Sequence, residues 1–385
     1  MLAATQNLEM KMTTKTPVDP NGLIEFSVVF TDRSLNHMSK SFQGVMTDIS
    51  SMLGEVYSAD EVALVPGGGT FAMEAVARQF GGGAHALIVR NGWFSYRWSQ
   101  IFEAGNFAAK TTVMKARQAG NDTRAPFAPA PIEDVVAAIR EAKPDVVFAP
   151  HVETSAGMIL PDDYLKAMSD AAHEVGALLV LDCIASGCIW VDMKATGVDV
   201  LISAPQKGWS ATPSAGLVMM SARAAARLAE TTSDSFSMDL KKWRAIMVAY
   251  EEGGHAYHLT MPTDGLRAFR DTMAETKDYG FEKLKAAQWD LGRKVRAILE
   301  AKGIKSVAAE GFQAPGVVVS YTDDPTVQNG SAFVAKGMQI AAGVPLQCDE
   351  PADFRTFRLG LFGLDKLYDV DGTVGRLTPV LDAVL

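Results

Sequence analysis

Cysteine is scarce in this chain. Cys183, Cys188 and Cys348 are the only three in 385 residues, and they suggest no disulfide framework. Long apolar runs are absent as well, since none approaches the roughly 18 residues that a bilayer span requires. Residues 1–20 carry polar residues and scattered methionines instead of the apolar block of a secretion signal. An excess of basic residues is also missing. Lys and Arg total 36 against 45 Asp and Glu, a net charge of −9, which argues against nucleic acid or an anionic membrane as the main partner. No internal repeat or low-complexity tract is present, and no metal-ligand cluster is assigned. A cytoplasmic enzyme is the expectation.

What is present is an ordinary folding composition. Hydrophobic residues make up 48% and charged residues 21%, in a chain long enough for a large core and two domains. Residues 1–25 read as an arm punctuated by Pro17, Pro20 and Gly22. A helix is expected from Ser41 to Val56. Short apolar runs then read as strands at Val62–Val65, Ala86–Val89, Val146–Ala149, Leu178–Leu181, Val200–Ile202 and Leu217–Met220. Asp162 or Asp163 can cap a helix with Leu165, Met168, Ala172 and Val175 on one face, ended by Gly176. Strands alternating with helices predict an α/β fold with a mostly parallel sheet covered on both faces. The texture changes near residue 279. A long helix (Phe281–Ala301), a strand (Val317–Tyr321), a helix near Ala332–Ala342, a strand (Thr356–Leu359) and a final helix read as a smaller α+β domain. The expected division is an arm over 1–25, a large domain over 26–278 and a small one over 279–385.

Two strand ends carry suggestive chemistry. Asp182 closes Leu178-Leu179-Val180-Leu181, and Lys207 follows Val200–Ile202 in Ser203-Ala204-Pro205-Gln206-Lys207-Gly208. An acid and a lysine at neighbouring strand ends suit a pyridoxal phosphate site, with the amine on the aldehyde and the carboxylate at the pyridine nitrogen. Each is also an ordinary surface lysine or sheet-end acid if taken alone. Gly67-Gly68-Gly69-Thr70 joins a strand to a helix, as an anion cradle does, or a tight turn. It lacks the Gly-Lys-Ser/Thr of a P-loop and the third glycine of a dinucleotide fingerprint. In Asn91-Gly92-Trp93-Phe94-Ser95-Tyr96-Arg97-Trp98 the aromatics read as core, as a lid, or as a ring lying on a pyridine. The hydroxyls of His151-Val152-Glu153-Thr154-Ser155-Ala156-Gly157 can bond a phenolic oxygen or complete a turn.

These segments, with Ala72-Met73-Glu74, Leu181-Asp182-Cys183-Ile184-Ala185-Ser186, Tyr257-His258-Leu259-Thr260-Met261-Pro262 and Phe357-Arg358-Leu359-Gly360-Leu361-Phe362-Gly363, occur in one order. From about Met38 onward the chain resembles the class V aminotransferases of pyridoxal phosphate fold type I, closest to the alanine–glyoxylate and serine–pyruvate group. The resemblance implies Lys207 as the Schiff-base lysine and Asp182 as the partner of the pyridinium. It places Phe94 on the cofactor ring, a Thr154 hydroxyl contact beside it, and Gly68, Gly69, Thr70 and Gln206 around the phosphate. Tyr257 and Thr260 would reach the phosphate of a neighbouring subunit, which implies a homodimer. Arg358 would grip the substrate carboxylate. The implied activity is ping-pong transfer of an amino group from a small amino acid to a 2-oxo acid such as glyoxylate or pyruvate.

The chain departs from that pattern twice. Asn21–Ser27 lacks the Pro-Gly-Pro-like segment that starts the active site in this group, and no serine stands at Gly68. Three other readings are weighed against a transaminase. Cys348, ten residues before Arg358, invites a cysteine desulfurase or related lyase, although Phe94 stands where desulfurases place a histidine. Asp349 and Glu350 beside it would also raise the thiol pKa. A catalytically silent binding protein would not need Asp182, Lys207 and Arg358 together. A nicotinamide-dependent dehydrogenase would need the rest of its fingerprint.

Overall fold

Short runs of Val, Leu, Ile and Ala punctuate the chain, and in the computed structural model each of them forms a strand. The structure describes residues 18–23, 26–27 and 34–385. Among the described residues the main sheet has seven strands, in the order Glu61–Pro66, Ala215–Met220, Val200–Ser203, Leu178–Asp182, Val146–Pro150, His85–Arg90 and Lys110–Lys115. Only Ala215–Met220 runs antiparallel to its neighbours; the other pairings are parallel. Leu178–Asp182, Val200–Ser203 and Val146–Pro150 are buried at every position, as parallel strands are when helices cover both faces. Gly69–Gly81 packs on Ala215–Met220, Trp93–Gly105 on His85–Arg90, and Asp162–Glu174 on Leu178–Asp182. The mostly parallel, helix-flanked sheet read from the sequence is therefore present.

Beyond it lies a second, antiparallel sheet in the order Val317–Tyr321, Thr356–Gly360, Ala341–Ala342. The helix Phe281–Ala301 packs on Val317–Tyr321, and the helix Val370–Val384 packs on that helix. An apolar cluster that includes Val152, Ala156, Met158, Ala185, Val317 and Val319 welds this sheet to loops of the larger one.

Two local expectations are corrected. The helix expected near Ala332–Ala342 is only one turn, Ser331–Val334. Gly337 then takes a left-handed φ of 76°, and Ala341–Ala342 pairs with Phe357 and Arg358 as a strand. Pairing with an open sheet edge outweighs the helix propensity of alanine. At the start of Asp162–Glu174 neither aspartate is the cap. Pro161 holds that position in extended geometry, and both acids occupy the first turn, where the helix dipole favours them.

Tight backbone approaches bring the lysine loop against its neighbours. A Cβ on Gly208 would sit inside the carbonyl group of Gly187, whereas one on Gly68 would meet nothing within 4 Å. Gly208→Ala is therefore expected to cost about 1–3 kcal/mol of stability, and Gly68→Ala less than about 0.5 kcal/mol. Urea unfolding midpoints of the two variants check this, and equal midpoints would contradict it.

Candidate active site

Five strands of the main sheet deliver chemistry at one end of it. Gly67–Thr70 follows Glu61–Pro66, Phe94 follows His85–Arg90, Thr154 follows Val146–Pro150, Asp182 ends Leu178–Asp182, and Gln206 and Lys207 follow Val200–Ser203. With Arg358 of the small sheet they surround a cavity of about 550 Å³. Gly68, Gly69, Thr70, Phe94, Thr154, Asp182, Gln206, Lys207 and Arg358 all line it. Its position outside the carboxyl ends of the strands is where open α/β sheets place ligands.

The glycine turn is shaped for close approach. Gly67 has φ 123°, and a Cβ on Gly69 would overlap the Ile184 side chain. Helix Gly69–Gly81 starts without a side-chain cap. Among the described residues, the N–H groups of Gly69 and Thr70 have no hydrogen-bond acceptor. Unfilled N–H groups at a helix start, facing a cavity, suit an anion.

Asp182 is 7% exposed, and its Oδ1 accepts from the Ile184 N–H at 2.9 Å. Desolvation pushes its pKa up to about 7, opposed by that hydrogen bond and reinforced by Glu153. A cation placed against it would reverse the cost. Among the described residues, the Lys207 amine has no hydrogen-bond partner; its Nζ lies 5.5 Å from the centre of the Phe362 ring. Burial, then the Arg358 charge, lowers its pKa, which enlarges the fraction of free amine near neutrality. Arg358 is held by a hydrogen bond from Nε to the Ala342 carbonyl at 2.8 Å. Its guanidinium lies 5.5 Å from the centre of the Phe94 ring. The Gln206 Oε1 atom is buried without a partner.

One carboxylate organises this wall. Glu153 is fully buried and accepts from Phe94 N (3.2 Å), Ser95 N (2.8 Å), Ser155 N (3.0 Å) and the Ser95 and Ser155 hydroxyls (2.6 and 2.7 Å). Ser155 Oγ in turn accepts from Trp93 N at 2.9 Å. The helix Trp93–Gly105, whose preceding Gly92 has no side chain, is thus capped from another loop. A Cβ at Gly92 would strike Ser155 and Glu153. Of the four aromatics in this segment, Trp98 is buried against Phe148, Tyr96 lies under Arg90 and Trp93 packs on Tyr96, which leaves Phe94 at the cavity.

Residues 27–343 match the family described as aminotransferase class-V. The chain belongs to that family. A 2-aminoethylphosphonate–pyruvate transaminase of Paraburkholderia phymatum is 27% identical over 359 residues, 90% of this chain and 89% of its own. A soluble hydrogenase small subunit of a Synechococcus species is 24% identical over 90% of this chain and 87% of its own. Among solved structures, alanine–glyoxylate aminotransferase from a Nostoc species shares the fold, with a TM-score of 0.74, 23% identity and coverage of 91% and 89%.

Within this class-V aminotransferase, Tyr257 and Thr260 lie apart from the cavity of their own chain. Both are exposed, with the Tyr257 hydroxyl 3.3 Å from Thr260 Oγ1. Cys348 is buried, does not line the cavity, and has its thiol 3.4 Å from the Arg90 carbonyl. Its pKa is pushed up to about 12 by burial first, then by Glu153 and Glu350. Asp349 is instead paired with Lys115. Of Asn21–Ser27, residues 24 and 25 lie outside the described residues. Sequence reading assigned no role to Arg97, Phe362 or Glu153. All three sit inside the quoted motifs, which gave no sign that Glu153 turns inward while Arg97 and Phe362 reach the cavity.

The raised Asp182 pKa fixes the sign of a pH effect. At this group the folded protein holds a proton that the unfolded chain releases above pH 3.8, so the contribution of Asp182 to stability falls with rising pH until about pH 7, and is level above it. Stripped of small molecules, this aminotransferase should gain stability from Asp182→Asn at pH 8, on the order of 4 kcal/mol. The gain should vanish near pH 3–4. Thermal or urea unfolding across pH measures it; a gap independent of pH would refute the assignment.

Proposed function

We propose that this aminotransferase holds pyridoxal phosphate in the cavity and moves an amino group from a small amino acid of the alanine or serine type to a 2-oxo acid such as pyruvate or glyoxylate. The observation that carries the reading is the meeting of an unbonded lysine amine, a buried acid and uncapped helix N–H groups in one cavity. The residues fit the group. Gly68, Gly69, Thr70 and Gln206 would hold its phosphate, two unfilled N–H groups and the Gln206 amide nitrogen acting as donors. Phe94 would lie on its ring, Thr154 would bond the phenolic oxygen, and Asp182, neutral or ionised near pH 7, would be drawn to the ionised form by a protonated ring nitrogen.

When bound, the ring supplies an electron sink for the pair released from a substrate Cα–H bond. Arg358 would pair with the substrate carboxylate and orient that bond, its fork matching two oxygens. Lys207, released from the cofactor by the incoming amine, would accept the Cα proton and redeliver it one carbon further on, as base and then acid. A second 2-oxo acid runs the steps backwards, which predicts ping-pong kinetics. Two of the three named proteins, the transaminase and the aminotransferase, carry pyruvate or glyoxylate in their names beside different amino compounds, 2-aminoethylphosphonate and alanine, whereas the hydrogenase subunit names neither. The acceptor end of the proposal therefore has more support than the donor end. A desulfurase would need Cys348 as a nucleophile in reach of the cavity, and its burial with a raised pKa removes that support.

Two assembly features belong to the same reading. Tyr257 and Thr260, exposed on either side of His258, which packs on the exposed Phe236, would complete a neighbour's phosphate site in a homodimer. The large domain would end near residue 278, where Gly280 (φ 106°) separates helices Thr263–Tyr279 and Phe281–Ala301.

Lys207→Ala should retain weakened pyridoxal phosphate binding, lose transamination by at least about 10³-fold, and lose the adduct that borohydride fixes on the lysine. Peptide mass mapping checks the adduct; wild-type protein with none at Lys207 would overturn the site. Arg358→Ala should raise the apparent KM for amino acids by about 10- to 100-fold, the range of one charge-assisted pair. Its affinity for pyridoxal phosphate should stay within about threefold. An unchanged KM in steady-state assays with donor panels would remove Arg358 from substrate binding.

A further inference from the structure

We propose that Arg97 is the charge partner of the cofactor phosphate, a positioning residue that makes up for the missing serine at Gly68; this rests on the pyridoxal phosphate reading above. Two direct observations place it. Arg97 lines the cavity, and its Nη1 donates to Thr70 Oγ1 at 2.9 Å. Thr70 is the second residue of the helix whose leading N–H groups have no acceptor. A guanidinium held there has further N–H donors beside the same helix start.

The surroundings of Arg97 supply no counter-ion. Its contacts within the described residues are a neutral hydroxyl and the Phe94 ring, 5.3 Å from the ring centre. Asp182 is sensed only at longer range. A half-buried guanidinium has five N–H donors and here uses one. Partial desolvation without a paired carboxylate is unfavourable, and an incoming dianion offsets it. The helix start alone supplies about half a positive charge, well short of a phosphate monoester's two negative charges.

Position also separates this arginine from the other one. Arg358 is anchored to the Ala342 carbonyl on the small sheet, and Arg97 to Thr70 on the large one. Both guanidinium groups lie near the Phe94 ring, at 5.5 and 5.3 Å from its centre. The aromatic side chain thus neighbours one cation committed to the helix start and another left for the substrate end. Lys207, the third cation in the cavity, is used by the aldehyde.

The test compares pyridoxal phosphate with pyridoxal, which lacks only the phosphate. Both aldehydes are titrated into cofactor-stripped wild type, Arg97→Met and Arg97→Lys, and binding is read from protein fluorescence and absorbance. Arg97→Met should weaken pyridoxal phosphate roughly 10- to 100-fold, the range of one charge-assisted contact. Pyridoxal should change less than about threefold, and Arg97→Lys should fall between for the phosphate ester alone. Inorganic phosphate should raise the melting temperature of stripped wild type more than that of Arg97→Met.

Equal losses for both aldehydes would overturn the proposal and make Arg97 a support for Phe94. Unchanged pyridoxal phosphate affinity would also overturn it, and a raised KM for dicarboxylic donors alone would then place Arg97 on the substrate. Arg97→Lys carries the same comparison if Arg97→Met folds poorly. Wild type that binds neither aldehyde would refute the cofactor reading itself, an outcome distinct from wild-type binding with an indifferent variant.

Discussion

A carboxylate with no access to water, Glu153, sets the geometry of the cavity wall. Its two oxygens receive donors from the start of helix Trp93–Gly105 and from the loop after Val146–Pro150. Burying such a group is tolerable only when its lone pairs are filled, and here they are filled by three backbone N–H groups that themselves need acceptors and by two serine hydroxyls. The consequence reaches three side chains. Phe94 and Arg97 ride on the helix that Glu153 caps, and Thr154 lies between Glu153 and Ser155. Gly92 completes the arrangement by leaving out the Cβ that would collide with it.

The charges of the cavity balance only with something in it. Lys207, Arg97 and Arg358 line the same space as a single acid, Asp182. Burial lowers the pKa of Lys207 and raises that of Asp182, so the protein keeps both nearer neutrality than free side chains. A ligand with a phosphate, a protonatable ring nitrogen and an electrophilic carbon resolves each strain at a different point. That division of labour matches the main sheet, five strands of which deliver these groups from their carboxyl ends.

Much of the site was legible because its residues follow short apolar strands at fixed places. Asp182 and Lys207 read as strand-end residues from local sequence, and Gly67–Thr70 as a strand-to-helix turn. Helix Phe281–Ala301 and strand Val317–Tyr321 coincide with the expected limits. The misread segment, Ala332–Ala342, is rich in alanine, and only the presence of the Thr356–Gly360 edge makes Ala341–Ala342 a strand. Arg97, Glu153 and Cys348 were each visible as letters, but their roles depend on which neighbours they face. Cys348 lies close to Arg358 along the chain, yet it turns toward the Arg90 carbonyl and away from the cavity.

The amino-acid sequence by itself determined the alternation of strands and helices, the family, and the chemical types gathered for the site, because periodicity and motif order are local properties. Tertiary structure alone decided that Glu153 is a buried cap, that Arg97 reaches Thr70, and that Cys348 is sequestered. Those outcomes come from contacts between segments tens to hundreds of residues apart, where desolvation and hydrogen-bond filling choose the orientation of each side chain. The same scarcity of cysteine that removed a disulfide framework from consideration leaves three thiols, all buried, and their burial arises only when the whole chain packs around them.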